Sequence, residues 1–375
     1  ESAVGGRAAG VRLPAMRGAL ILSAVVGCSA PASETEGTST STGGGESTST
    51  GTTAVAPTTG GSSGASEGTT GAAPAWEVAL QLGDDRGALL SVWGPAPDDV
   101  YAVGGQQSSP IDSTGVLYHF DGAAWTEQAL PEGTPMLHWV FGVEGDLWAV
   151  GRNGATLRRE GEAWVAKPSG VTTILWGIWG PSKELLWTVG GDGVDDAPVL
   201  LRWDGAAWAP EPLPATGEST GLFKVWGTGA SDVTAVGDRG LALHHDGAAW
   251  TVQPTGDLAD LISVWGRAPD EQLAVGGRAN GRLARWDGAA WTGETFGVPG
   301  LSGVWMDADG AATVVGMQGT IAELAPASMV LQPQTSPTLL LLHAVFGFAD
   351  GTRFAVGGSL AGPPPYVGVI VQRLP

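Results

Sequence analysis

Residues 225–250 read VWGTGASDVTAVGDRGLALHHDGAAW, and the same phrase recurs from Ser91 to the C-terminus. It has four apolar beats: a VWG-like triplet, an AVG run, an apolar run ending in DG, and a run opening on AAW. The aromatic of the triplet falls at Trp93, Phe141, Trp179, Trp226, Trp265, Trp305 and Phe346, at intervals of 38 to 48 residues. Periods near 40 are the size of one propeller blade. Each beat is a short β-rich run bounded by Gly, Pro, Asp or Asn, and nothing between the beats has helical period. The phrase therefore predicts an all-β fold, a seven-bladed β-propeller whose blades each hold four strands, a to d.

Copies differ in how well they keep the phrase. DGAAW occurs unchanged four times, ending at Trp125, Trp208, Trp250 and Trp291, softens to EGEAW at Trp164, and decays to APASM at Met329. Strands a and b carry apolar residues on both faces, as in the runs Leu90 to Trp93 and Val100 to Val103. Such runs suit a sheet held between two neighbours rather than one with a wet side. Glycine supplies 61 of 375 residues, against a usual share of about 7%, and within the repeat it stands where strands end.

The seventh unit has strands a, b and c (341–348, 353–357 and 367–372) and stops at Pro375 without a d. The missing strand lies upstream. Ala75-Trp76-Glu77-Val78-Ala79-Leu80 reads like the d segment AWTEQAL that begins at Ala124. The N-terminal segment is therefore expected to close the last blade and leave no free edge.

The double glycine after strand b, the aromatic-Asp pairs Phe120-Asp121, Trp203-Asp204 and Trp286-Asp287, the Trp opening strand d, and the following Leu130-Pro131 and Leu213-Pro214 together resemble the kelch repeat. They are also similar, less closely, to Asp-box (BNR-like) propellers. The galactose-oxidase central domain is of this kelch type, and the resemblance implies the fold while leaving function open. Its copper site is excluded here, because that site needs a Tyr crosslinked to Cys, whereas this chain has one Cys and only Tyr101, Tyr118 and Tyr366. Sialidase chemistry needs a Tyr nucleophile beside three converging Arg. Arg152, Arg278 and Arg282 follow strands b, but no Tyr shares that position in their units.

Upstream, residues 29–74 are almost wholly Ser, Thr, Gly, Ala, Pro and Glu. Such a composition buries too little apolar surface to offset its ordering entropy, so it reads as a tether spanning roughly 40 Å. Before it, MRGALILSAVVGCSA from Met16 places an apolar run ahead of Gly27-Cys28. This resembles a bacterial lipoprotein signal cut before Cys28, with Met16 as the true start and residues 1–28 as the signal region. The run is too short to span a bilayer as a helix. Ser29 is not the Asp that retains such products at the inner membrane, so the resemblance implies the outer membrane or cell surface. The combination of anchor, Ser/Thr/Gly spacer and Trp-rich propeller resembles secreted myxobacterial lipoproteins.

Charge narrows the partners. Residues 1–75 hold three Arg and five Glu of the net −20, which leaves 15 basic and 33 acidic residues for the propeller at 75–375. An acidic surface repels nucleic acid, which excludes that class of partner. A single cysteine excludes internal disulfides. Most of the 17 Trp occupy repeat positions and are expected to pack, leaving Trp139, Trp148, Trp176 and Trp187 as candidates for exposure. His244 and His245 are neighbours on a strand, point to opposite faces and make a poor metal pair. Carboxylates such as Asp98, Asp99, Asp232 and Asp350 recur between strands a and b, where turn formation explains them.

The b-to-c connections lengthen at 105–115, 191–198 and 358–366, all on one face of the ring, where propellers commonly bind. That face supplies the candidate site residues: Gln106, Asp112, Arg152, Asp192, Asp195, Asp196, Arg278, Arg282 and Tyr366. The loop holding Asp192, Asp195 and Asp196 offers oxygens for Ca²⁺ but matches no EF-hand spacing, so it is expected to be structural, with no metal and no cofactor. The expected function is a monomeric, non-catalytic binding or scaffold module for a protein or glycan. The alternative is an enzyme acting on extracellular glycan.

Overall fold

A computed structural model describes residues 75–109, 112–191, 197–359 and 366–375. These residues form seven four-stranded antiparallel sheets arranged as a β-propeller, with helix limited to three short 3₁₀ turns. In the first blade, strands a to d are Ala88–Ala96, Asp99–Gln107, Ser113–Phe120 and Trp125–Glu127. Strands a lie innermost and meet side by side around the ring. The signal region and tether, including Cys28, lie outside the described residues.

Closure follows the upstream segment. Glu77–Gln81 pairs antiparallel with Gly368–Arg373, matching Glu77 to Gln372 and Gln81 to Val369, so the last blade takes its fourth strand from the start of the propeller. Trp76 stands where the other blades have their strand-d Trp. It is buried against Trp305, Val369 and Val371, with the Arg373 guanidinium 5.6 Å from its ring centroid.

The repeated phrase now has a physical reading. In DGAA, the Asp carboxylate accepts hydrogen bonds from the backbone N–H groups two and three residues on: Asp121 from Ala123 and Ala124 at 2.9 and 2.8 Å, and likewise Asp204, Asp246 and Asp287. These N–H bonds stabilise the carboxylate and hold each of the four below the ordinary Asp range. The glycine that follows needs positive φ, 87° at Gly122 and 94° at Gly247. The residues flanking the turn, Phe120 and Trp125, Trp203 and Trp208, Trp286 and Trp291, are cross-strand partners with ring centroids 5.3 to 5.7 Å apart. His245 takes the same place opposite Trp250, at 5.1 Å, as a packing residue. In the sixth blade, where the phrase has decayed, strand d shrinks to Gln332–Pro333.

Acids between strands a and b do more than make turns. Asp99 meets His119 at 2.8 Å, Asp146 meets Arg158 at 2.6 Å, Asp232 meets His244 at 2.9 Å and Glu271 meets Arg285 at 3.3 Å. Each pair links the start of strand b to strand c of its own blade. Much of the acidity at this end of the ring is thus matched by a base on the next strand.

Candidate functional site

Each strand a carries a β-bulge at the same place, just after a fully buried leucine. The register shifts after Leu89, Leu137, Leu175, Leu222, Leu261, Leu301 and Leu342. A bulge adds one residue to the strand and re-aims its side chain. The residues so placed differ in every copy but one: Leu90, His138, Trp176, Phe223, Ile262, Ser302 and His343. They form a ring at the channel end facing the b-to-c connections, since Trp176 Nε1 donates to the Gly191 carbonyl at the end of strand b, 2.9 Å away.

Blades two to four give this ring a continuous aromatic arc. The His138 ring stacks on Trp176 with centroids 4.3 Å apart and planes 11° off parallel, and Trp176 meets Phe223 edge-on at 6.0 Å. His138 Nδ1 lies 3.3 Å from the Leu175 carbonyl. Burial, assisted by the Arg152 guanidinium and by His343, pushes His138 down to about 3, and burial pushes His343 down to about 4. Both imidazoles are therefore neutral at neutral pH.

Sequence reasoning placed Gln106, Arg152 and Tyr366 on this face, and the structure gathers them over blades seven, one and two. The Tyr366 N–H donates to Gln106 Oε1 at 2.9 Å, while Gln106 Nε2 donates to the Asp84 carbonyl at 2.6 Å. Arg152 Nη1 donates to Gln107 Oε1 at 3.3 Å, and Tyr366 acts electrostatically on the same guanidinium. Gln106 is not a loop residue, however, because strands b and c of the first blade extend to pair Gln106 with Thr114 and Gln107 with Ser113. Asp112 stays in the exposed turn beyond, its Oδ2 accepting from Ser109 Oγ at 2.9 Å.

The remaining candidates are not part of this group. Arg278 pairs with Asp260 at 2.5 Å on the exposed rim of blade five. Arg282 lies on strand c itself, with Nη1 2.8 Å from Asp257 and Nη2 donating to the Thr255 carbonyl, so it clamps the connection from blade four to blade five. Asp192, Asp195 and Asp196 fall outside the described residues. Of the four Trp expected to be exposed, Trp148 and Trp187 are fully buried between blades, whereas Trp139 and Trp176 are half-buried at the channel.

Below the bulge ring the channel is filled. Trp139 reaches across to lie against Lys224, and Ser91, Gly177, Ser263, Gly303 and Ala344 make room at the same level. Deeper, the triplet aromatics close the bore: Phe346 lies 5.8 to 6.5 Å from Trp93, Trp265 and Trp305. The space left among these side chains is about 10 Å³, room for roughly one water. A larger cleft of about 260 Å³ opens on the opposite face between blades one and two, lined by Trp93, Tyr101, Leu147, Arg159 and the carboxylates Asp99 and Glu144. Within it Arg159 donates to the Tyr101 hydroxyl at 2.7 Å, while Arg159 also pairs with Glu162 at 3.1 Å outside the lining.

Among the described residues, no group of three or more His, Cys, Asp or Glu is placed to hold a metal ion, and no helix is long and apolar enough to cross a membrane. No protein-family model matches the sequence, and no curated protein matches it. The fold is similar to solved propellers. One is YCF48 bound to D1 peptide, at 14% identity and a TM-score of 0.58, covering 80% of this chain and 97% of that one. Another is a catalytically inactive virginiamycin B lyase from Staphylococcus aureus, with quinupristin, at 11% identity and a TM-score of 0.62, covering 79% and 99%. A third is the WD40 β-propeller domain of Doa1, at 11% identity and a TM-score of 0.57, covering 79% and 96%. At these identities the likeness establishes one thing, that this chain is a β-propeller.

Proposed function

We propose that this chain is a lipid-anchored, extracytoplasmic propeller of kelch-like type that binds a protein segment, without catalysis, on the face bearing the bulge ring. The observation that carries the reading is the arc His138, Trp176 and Phe223. Its rings are continuous across three blades, with Trp176 and Phe223 half-buried at the channel mouth and His138 buried behind them. Aromatic side chains of this kind are the usual anchors of protein recognition. The same face carries Leu258 and Leu339, 72% and 86% exposed on d-to-a connections, where burial against a partner would be favourable. One of the similar folds is described as bound to a peptide.

Two carboxylates on this face are held by the surrounding backbone and side chains. Asp238 accepts from the Ser219 hydroxyl, the Thr220 N–H and hydroxyl, and the Gly221 N–H. Asp260 accepts from the Arg239 N–H and pairs with Arg278. Each thus has a structural role in tying the connections of this face together. The lipid anchor rests on the Cys28 motif, and the tether on the composition of residues 29–74.

Panning a random peptide library against the full chain tests the reading. Enriched peptides are expected to lose at least tenfold in affinity on Trp176→Ala and to ignore Val143→Ala on the opposite face. Peptides that bind the Trp176→Ala chain unchanged would place the site elsewhere. A glycan array probed in parallel checks the other partner class.

A further inference from the structure

One step below the bulge ring, six of the seven strands a carry an uncharged residue: Ser91, Trp139, Gly177, Ser263, Gly303 and Ala344. The seventh carries Lys224. Its side chain is 4% exposed and lies against the Trp139 ring. Burial alone drives its amine well below the ordinary lysine range. Burying an ammonium costs several kcal/mol, and a methionine would fill the same space without that cost.

The neighbourhood runs against the sign of the whole molecule. The chain carries −20, yet Lys224 lines the channel one level below the neutral imidazoles of His138 and His343, and the Arg152 guanidinium acts on His138. Burial is the largest cause of all three shifts, with Arg152 and His343 adding to that of His138, and among the described residues no carboxylate acts on these groups. Among the described residues, the titratable groups around Lys224 are His138 and His343, with Arg152 acting on His138 and Tyr366 acting on Arg152. With both imidazoles neutral, the Lys224 amine is the protonatable group at this level, and the aromatic walls beside it suit an acid with an apolar body.

We propose that Lys224 anchors a carboxylate of the bound ligand, one oxygen entering the space beside Nζ while the apolar body lies on Trp176 and Phe223. The proposal rests on the reading of this face as the binding face. The space of about 10 Å³ admits a single oxygen atom, so the rest of the acid stays outside it. The pair that forms is ammonium with carboxylate, and since burial disfavours the ammonium in the empty site, a bound carboxylate is expected to draw a proton onto the amine. The carboxylate could come from a free small acid or from the C-terminus of a peptide.

Calorimetry on the full chain tests this with benzoate, a short aromatic peptide with a free C-terminus, and the same peptide as its amide. Binding of benzoate or of the free-ended peptide is expected. Affinity should fall as pH rises through the titration of the amine, with proton uptake on binding read from two buffers of different ionisation enthalpy. Lys224→Met should keep or raise the melting temperature and lose at least tenfold in affinity. Benzoate as tight as the peptide identifies a small acid, and a free-ended peptide tenfold tighter than both its amide and benzoate identifies a chain terminus. Failure of both carboxylates to bind at millimolar concentration, or unchanged binding by Lys224→Met, would overturn the anchor. Binders that need Trp176 but ignore Lys224 would refute the anchor and leave the face standing, whereas binders indifferent to Trp176 would refute the face itself.

Discussion

The indole of Trp93 lies over Gly142 of the next blade, so closely that a Cβ on that glycine would stand 2.3 Å from ring carbon Cη2. Trp179 over Gly227 and Trp226 over Gly266 repeat the relationship, each with 2.8 Å to the same ring atom. The triplet VWG is thus one half of an inter-blade joint: the Trp of one copy seats on the Gly of the next. In blade six Met306 replaces the glycine, and the Trp265 ring meets Phe346 edge-on at 5.8 Å. Gly142→Ala should therefore destabilise the propeller by about 1 to 3 kcal/mol through overpacking. Gly229→Ala, where a Cβ meets nothing within 4 Å, should be near neutral. Urea unfolding of the two variants checks the contrast.

Closing the ring with the N-terminal strand makes Trp76 a core residue although it stands at the edge of the propeller in sequence. Trp76→Ala is expected to cost about 3 to 5 kcal/mol, as for other buried aromatics. Hydrogen exchange should then rise first in Gly368–Arg373, the strand it covers. An unchanged exchange pattern would mean that the last blade is stable without its fourth strand.

The two channel histidines set an acid limit. Their folded values of about 3 and about 4 lie below the 6.5 of an exposed imidazole, so the unfolded chain takes up protons first as pH falls. Stability from this source is complete above about pH 6.5 and is lost on going down toward 4, by up to about 1.4 kcal/mol per histidine per pH unit. His138→Phe combined with His343→Leu should flatten that limb in denaturant titrations between pH 7 and pH 4.5.

The DGAA carboxylates act in a lower window. Their folded values are depressed, so their stabilisation is present above the ordinary Asp value of 3.8 and disappears as pH falls through the folded value. Asp204→Asn, which keeps an oxygen acceptor for both N–H groups, should hold the c-to-d turn at low pH better than Asp204→Ala. Melting curves of the two variants at pH 7 and pH 3 decide this.

Blade count, strand order and ring closure were legible because seven copies repeat the same solution, and repetition separates signal from accident. Trp125 opposite Phe120 and the Asp121 turn can be read from one copy and checked on three others. The bulge ring was not legible for the same reason. Leu90, His138, Trp176, Phe223, Ile262, Ser302 and His343 share no chemistry, and a period-two reading treats them as ordinary strand positions. The only trace is the invariant leucine before each of them, which marks a fixed backbone site with a free side chain. Lys224 was hidden likewise, since a lysine in a strand reads as a solvent-facing residue until its level in the channel is known. Arg282 misled in the opposite sense: its place after strand b suggested a loop, whereas it begins strand c and ties two blades together through Asp257 and Thr255.

The most direct test of the account replaces Phe223, in the bulge ring, and Val143, on the opposite face, one at a time with a photo-crosslinking phenylalanine analogue in the full chain. Each variant is then illuminated with the peptides selected by panning. The account predicts crosslinks from position 223, abolished by excess unlabelled peptide, and none from 143. Crosslinking from 143 with none from 223 would contradict it.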